Sequence, residues 1–464
     1  MRKIFVLAAF VFSLHSVCAL PPPVVAAKSC FFVDADTGNE LFKQGENNKE
    51  KTASLAKIMT VLVALEEVEK RSIKPSASAV QKKNPNLPAQ PQAAKKVAAE
   101  AAAGVGASVV PAGQVASDNK GLGATTVAPR AVFDRLYGTH AAAVGISAGE
   151  EVTLRDLVAA TMIASGCDGA EILSHAFGGL VGAMNDKATL LGCSKNTHFV
   201  DASGISEENV STARDMVLIL REALTKPVLV DLAAKKTYQM SQTNKRKETT
   251  IYTTNQMLLC GPYHDSRVTG FKTGSFPDLQ NFASFSCHKG MNVAGVVMGF
   301  CPPQETKEGE FPPKAFTVTK QILDYIYSNY ERRTLAAAGA LLNEIRVRGS
   351  GEVDHVGLVT KIDILATLPK DTKSGMVTKQ FALPAFLVAP IVAGTKIGTV
   401  SFYLGQNKLA EADLFTSKVI KSDFVGQVSL LLRDKRFVGA LSVVAAALLL
   451  VVIRKRNLRR RRRR

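Results

Sequence analysis

Seventeen consecutive residues, Phe437 to Ile453, carry no charge and are rich in Val, Leu and Ala. That length is at the short end for a bilayer span, and a core helix of the same length is also possible. The flanks separate the two readings. Arg433, Lys435 and Arg436 precede the run; Arg454, Lys455, Arg456 and Arg459 to Arg464 follow it. So dense a basic tail belongs on the cytoplasmic side of a membrane. Residues 437–453 are therefore expected to form one transmembrane helix with 454–464 as a cytoplasmic tail. The body of the chain must then fold on the other side.

The N-terminus fits that topology. Met1-Arg2-Lys3 is positive, Ile4 to Phe12 is apolar, and Val17-Cys18-Ala19 offers small residues for cleavage. Residues 1–19 read as a secretory signal peptide cut after Ala19, with a buried N-terminal helix as the bland alternative. A lipoprotein reading of Cys18 is weaker, because His15 stands where leucine is wanted.

The net charge of +18 and pI near 9.6 would suit a nucleic-acid ligand. Nine of those charges, however, lie after Ile453. They suit anionic lipid, at about 1 kcal/mol per basic residue near the surface. No nucleic-acid partner is expected. Cys30, Cys167, Cys193, Cys260, Cys287 and Cys301 could pair in an oxidising compartment, but their spacing defines no disulfide framework. No Cys or His cluster suggests a metal.

Between the termini the pattern changes several times. Ser29–Val33 and Glu40–Lys43 are strand candidates around a turn at Asp34–Gly38. Ser54 is expected to open a helix to about Glu69, with Leu55, Ile58, Met59, Leu62 and Leu65 on one stripe. Residues 74–139 turn Pro-, Ala- and Gly-rich and read as a flexible insertion. Helices are expected to reach Ala164 and to cover Asp168–Phe177, Leu180–Leu191 and Thr212–Ala223. Phe282–Phe285 and Val293–Phe300 read as adjacent strands, and a helix follows over about Pro313–Tyr330. This order gives an α/β layer with a helical subdomain. From about Thr334 to Asp423, short alternating segments such as Val356–Val359 and Gly398–Tyr403 indicate a small β-rich domain.

Two short segments carry chemistry. In Ser54-Leu55-Ala56-Lys57 the lysine lies about one helical turn from the serine. A serine hydroxyl is a poor nucleophile at neutral pH, and a desolvated lysine can take its proton. Lys272-Thr273-Gly274-Ser275 follows more than 200 residues later and offers a cation on a strand. The Ser-x-x-Lys spacing alone is weak, since it recurs at Ser117–Lys120 and Ser286–Lys289. Each residue also has a structural reading: Ser54 or Ser165 as a helix cap, Lys57 or Lys272 as a solvated charge, Cys167 as a small buried side chain.

Context favours the chemical reading. Thr52 to Thr60, the Asn196-Thr197-His198-Phe199 region with Ser203-Gly204, Ser211 to Met216, and Gly270 to Gly274 together resemble the D-alanyl-D-alanine carboxypeptidase family of low-molecular-weight penicillin-binding proteins. Pro390 to Gly398 resembles the C-terminal β-domain of that family. The likeness covers about Ala26–Lys74 and Gly149–Leu432. It implies a penicillin-binding/β-lactamase-like transpeptidase domain over 26–330: an antiparallel sheet flanked by helices, with a helical subdomain. The β-rich domain over 334–423 and the transmembrane helix would follow.

The family's second motif, Ser-x-Asn, is altered. By context it falls at Ser165-Gly166-Cys167, with Cys167 in place of asparagine. A literal match at Ser117-Asp118-Asn119 lies in the low-complexity stretch. A thiol hydrogen-bonds weakly, so substrate positioning or the fate of the acyl-enzyme is open to change.

The resemblance implies a peptidoglycan stem peptide ending in D-Ala-D-Ala as substrate, β-lactams as inhibitors and no cofactor. It assigns Ser54 as nucleophile, Lys57 as general base and Ser165 as proton relay tuned by Lys272. Lys272 and Thr273 would steer the terminal carboxylate, with Cys167, Gly274 and Ser275 completing the substrate site. It also implies an inner-membrane protein with its catalytic domain in the periplasm. Transfer to an amine instead of water would make the same site a transpeptidase. A membrane-anchored scaffold without useful turnover is the rival reading, motivated by Cys167 and the insertion. A class A β-lactamase fits less well, because it needs neither the C-terminal domain nor the anchor.

Overall fold

The computed structural model describes residues 21–73, 121–139, 141–303, 311–351, 353–422, 424, 428 and 435–461. The expected signal peptide, the Ser117-Asp118-Asn119 triplet and the Ser117–Lys120 pair lie outside them. The chain divides into two compact units, Met1–Glu331 with Pro369–Asp371, and Arg332–Leu368 with Thr372–Arg464.

The first unit begins β1 (Ser29–Asp34), β2 (Glu40–Gln44), β3 (Glu50–Lys51), α1 (Ala56–Ile73), β4 (Thr125–Val127), α2 (Arg130–Leu136) and β5 (Glu151–Thr153). It continues α3 (Leu154–Met162), α4 (Cys167–Ala176), α5 (Val181–Leu190), β6 (Val210–Ser211), α6 (Ala213–Ala223), α7 (Pro227–Ala233), β7 (Thr237–Met240) and β8 (Thr249–Tyr252). Three long strands, β9 (Val268–Phe276), β10 (Leu279–His288) and β11 (Met291–Phe300), precede α8 (Ala315–Asn329).

Five strands form an antiparallel sheet in the order β2-β1-β11-β10-β9. Side chains alternate along a strand, and here both faces are covered. Phe31, Val33, Ala283, Phe285, Ala294, Val296 and Met298 enter one core with α1 and α6. Cys30, Phe32, Phe282, Val293 and Val297 face the other, against Ile322, Leu323 and Ile326 of α8. A strand buried on both faces has no polar side to show, which explains the nearly unbroken apolar run of β11. Phe32 lies opposite Gly295, and a Cβ there would stand 2.1 Å from its ring. The bare backbone of Gly295 makes room for the ring.

Every residue from Ala56 to Leu65 is buried. A helix closed in on all sides must be central, and α1 packs among α3, α4, α5 and α6. Thr153 and Thr212 cap α3 and α6 by accepting hydrogen bonds from Asp156 N and Asp215 N.

Two expectations need correction, and further elements were not read at all. Ser54 does not open the α-helix: residues Ala53–Leu55 form a 3-10 turn and α1 starts at Ala56. The biased stretch does not reach residue 139 as an insertion. Leu122, Ala128 and Val132 are buried in the main core, β4 pairs with β5, and α2 packs on α4. The β7–β8 hairpin and α7 were not anticipated; of the hairpin's eight residues only Met240 and Ile251 are buried, and α7 is a short helix of seven residues.

The second unit takes in most of β12 (Tyr330–Ala336) and β15 (Ile364–Pro369) and all of β13 (Leu341–Arg348), β14 (His355–Val359), β16 (Val377–Ala382), β17 (Leu387–Val388), β18 (Lys396–Leu404) and β19 (Asn407–Thr416). Six of these form a sheet in the order β16-β18-β19-β14-β13-β17 around Val356, Leu358, Val400, Phe402 and Leu414. The last helix, α9 (Lys435–Arg461), contains Val438–Arg456, a segment long and apolar enough to cross a membrane.

Candidate active site

The 3-10 turn that carries Ser54 sits in a tight cradle. Ala53 adopts φ +46°, a left-handed conformation that costs a residue with a Cβ. Gly204, at φ +73°, closes on it so tightly that a Cβ would stand 2.0 Å from Ala53 O. On the other side β9 presents Gly274, where a Cβ would lie 3.0 Å from Thr52 O and 3.1 Å from Leu55 N. Glycine at both positions lets two backbones press against the serine turn. Asn281 ties the same turn to the sheet: its Nδ2 donates to Lys51 O and Thr52 O at 2.8 and 3.1 Å, and its Oδ1 accepts from Gly299 N at 2.8 Å.

From this turn α1 delivers Lys57 inward, fully buried. Its Nζ lies 2.8 Å from Ser54 Oγ, 2.6 Å from Ser203 O and 3.2 Å from Cys167 Sγ. Asp201 holds the Ser203 carbonyl in place. It accepts hydrogen bonds from Ser203 N and Oγ, Gly204 N, Ile205 N, Ser206 N and Asn209 Nδ2. Burial works against the Asp201 charge, but these donors outweigh it and hold the carboxyl below its usual range.

Ser165 and Cys167 come from the junction of α3 and α4. Ser165 has φ +60°, so Gly166 can cap α4 while the hydroxyl turns into the cleft. Asp168 pins the facing loop by accepting from Val144 N, Gly145 N and Ile146 N, and Cys167 N donates to Ala142 O at 2.7 Å. Lys272, on β9, is fully buried, with Nζ 2.7 Å from Ser165 Oγ and 2.8 Å from Thr273 O. Burial, and then the nearby Lys57, push the Lys272 pKa well below its ordinary value. Lys272 stands behind Ser165 and Thr273, not on the cleft surface. Thr273 Oγ1 shares a 2.6 Å hydrogen bond with Thr254 Oγ1.

These parts surround an open cleft of about 650 Å³. Ser54, Ser165, Cys167, Thr273, Gly274 and Ser275 line it, and both lysines back it. All eight residues singled out from the sequence therefore converge. Left-handed or unusual φ values fall beside three of them: at Ala53, at Ser165 itself, and at Phe271, with φ +152°, next to Lys272. Such strain concentrates where function dictates the backbone. The competing pair is not part of this assembly: Ser286 is buried against Tyr327 Oη, and Lys289 lies in the β10–β11 turn.

Sequence reading named Ser203 only within a family-like segment and missed its role, and it missed Asp201, Asn281 and Thr254 altogether. The first acts through its carbonyl, which no side-chain motif reports. The others gain their roles only from tertiary placement.

The chain is similar to known proteins over most of its length. A family model described as D-alanyl-D-alanine carboxypeptidase matches residues 16–103 and 130–301, more than half of the chain. A second, for the C-terminal domain of penicillin-binding protein 5, matches residues 330–422. The D-alanyl-D-alanine carboxypeptidase DacF of Bacillus subtilis is 26% identical over 414 residues, 88% of each chain. Among solved structures, penicillin-binding protein 5 of Haemophilus influenzae aligns with TM-score 0.60 at 21% identity, covering 87% of this chain and 100% of that one. A Streptococcus pneumoniae peptidoglycan synthesis regulatory factor, PBP3, aligns with TM-score 0.65 at 19% identity, over 86% and 100%. At these identities the two structures establish the fold, and the family match establishes more: the chain belongs to the D-alanyl-D-alanine carboxypeptidase family of serine peptidases.

Proposed function

We propose that the protein removes the terminal D-alanine from peptidoglycan stem pentapeptides through an acyl-enzyme on Ser54. The observation that carries this reading is the environment of Lys57 Nζ. A neutral amine has two N–H donors and one lone pair. Ser203 O and Cys167 Sγ are placed to take the donors, leaving the lone pair for the Ser54 hydroxyl. Lys57 then accepts the hydroxyl proton as Ser54 attacks the carbonyl of the penultimate D-alanine.

Backbone N–H groups of Ser54 and Ser275 would stabilise the oxyanion, an effect of about 3–4 kcal/mol per donor. Ser165 passes a proton to the leaving amine, drawing on its 2.7 Å contact with Lys272. Thr273 receives the substrate's terminal carboxylate, and that anion favours uptake of a proton from solvent by Lys272 behind it. Water then releases the acyl group. β-Lactams would acylate Ser54 by the same steps.

A membrane setting is supported by the apolar segment Val438–Arg456. We read residues 1–19 as the leader, 26–330 as the peptidase domain, 334–423 as the β-rich domain, 437–453 as a single inner-membrane span and 454–464 as the cytoplasmic tail. The peptidase domain would face the periplasm. The test is release of D-alanine from an N-acetylated stem pentapeptide by the purified full-length chain, with an added amine acceptor to detect transfer. Release without cross-linked product supports the carboxypeptidase. D-alanine release matched one for one by cross-linked product would make it a transpeptidase, and no release would favour the scaffold.

A further inference from the structure

We propose that Lys314 forms a subsite for a carboxylate on the acyl side of the scissile bond. The inference rests on the peptidase reading above and extends it upstream of the bond. Thr273 is assigned the terminal carboxylate, and Ser54 with Ser275 the reacting carbonyl. The leaving residue and the acyl chain therefore lie on opposite sides of Ser275, and the acyl chain runs toward Phe276 and Pro277. The same cleft is lined by Phe276, Pro277, Gln280, Lys314 and Phe316; Gln280 lies opposite Ser275 across β9 and β10, and its Oε1 accepts from Ala315 N at 3.3 Å. An extended chain advances about 3.3 Å per residue, and the second and third acyl-side residues are the ones proposed to occupy this end.

Lys314 is suited to meet an anion there. It is half-buried at the start of α8, its N–H donating to Thr317 Oγ1 at 3.3 Å while Thr317 N donates to Lys314 O at 2.9 Å. Its Nζ lies 3.1 Å from Gln256 Oε1 and 4.9 Å from the centre of the Tyr263 ring. Both partners among the described residues are neutral, and an ammonium has three donors. The side chain is thus held in place with its charge uncompensated by them, on the wall of a partly enclosed cleft. A stem peptide whose glutamyl residue is linked through its side chain carries a free α-carboxylate at the third acyl-side position. That group is the ligand proposed.

The test compares two peptides on the full-length chain in detergent: N-acetyl-L-Ala-γ-D-Glu-(Nε-acetyl)-L-Lys-D-Ala-D-Ala, and the same peptide with the glutamyl α-carboxylate amidated. D-Alanine release gives kcat/KM for each. The wild type should prefer the carboxylate by about fivefold at low salt, the size expected of a charge-assisted contact at a partly exposed site. Raising the ionic strength should shrink that preference. Lys314→Arg should keep it, Lys314→Gln should remove it, and Lys314→Glu should reverse it. Equal cleavage of both peptides by the wild type, or a preference that survives in Lys314→Gln, would overturn the subsite alone. Cleavage of neither peptide by the wild type would overturn the peptidase reading, and the subsite with it.

Discussion

Cys167 places its sulfur 3.2 Å from Lys57 Nζ, so the residue that departs from the family motif touches the proposed general base. If the thiol serves as an acceptor for the amine, removing it leaves a buried N–H unpaired. Cys167→Val, which keeps the bulk and loses the acceptor, should slow penicillin acylation about fivefold, the equivalent of about 1 kcal/mol. Cys167→Asn, with a stronger acceptor, should acylate at least as fast as wild type. An unchanged rate in Cys167→Val would reduce the thiol to a filler.

Ser165 bridges the cleft to Lys272, with its Oγ 2.7 Å from Lys272 Nζ. Ser165→Ala should lower the acylation rate by roughly 10²–10³, within the range of general acid–base catalysis. Ser117→Ala, in the low-complexity stretch, should leave it unchanged. Stopped-flow acylation by a chromogenic β-lactam would rank the two, and the reverse order would move the second motif out of the α3–α4 junction.

Lys272 gives a pH dependence of definite sign. Its folded pKa is depressed by burial and by Lys57. Between that value and its ordinary one the unfolded chain binds the extra proton, so this residue's contribution to stability rises with pH. Thermal unfolding of wild type and Lys272→Met should show wild type gaining on the variant from pH 7 to pH 9. A gain in the opposite direction would mean that the folded state holds the charged form.

Phe32 and Gly295 face one another across β1 and β11. Gly295→Ala would drive a methyl into the ring, since its Cβ would lie 2.1 Å from Phe32. Overpacking of this kind costs about 1–3 kcal/mol. In a Phe32→Leu background the same change should cost less, and a denaturation cycle measures the difference. Additive effects would mean that the ring does not set the glycine.

Much of the site was legible because its chemistry is local. Ser54 and Lys57 lie within one turn, and Lys272 to Ser275 form one strand end. What escaped depends on contacts between distant segments. The 3-10 turn at Ala53–Leu55 is imposed by Gly204 and Gly274 pressing from either side, a constraint invisible in an apolar periodicity. Leu122 and Val132 sit in a Gly- and Ala-rich composition, yet tertiary packing places them in the core. The fold class could be read from the order of the elements, two adjacent apolar strands and the family-like motifs; that α1 is buried on every side was not read, because its sequence suggested a single apolar stripe.

The most direct test of the account is the mass of the full-length chain after penicillin treatment, with peptide mapping of the adduct. The account predicts one adduct, on Ser54, and none in Ser54→Ala. An adduct on another serine, or none on folded protein, would contradict it.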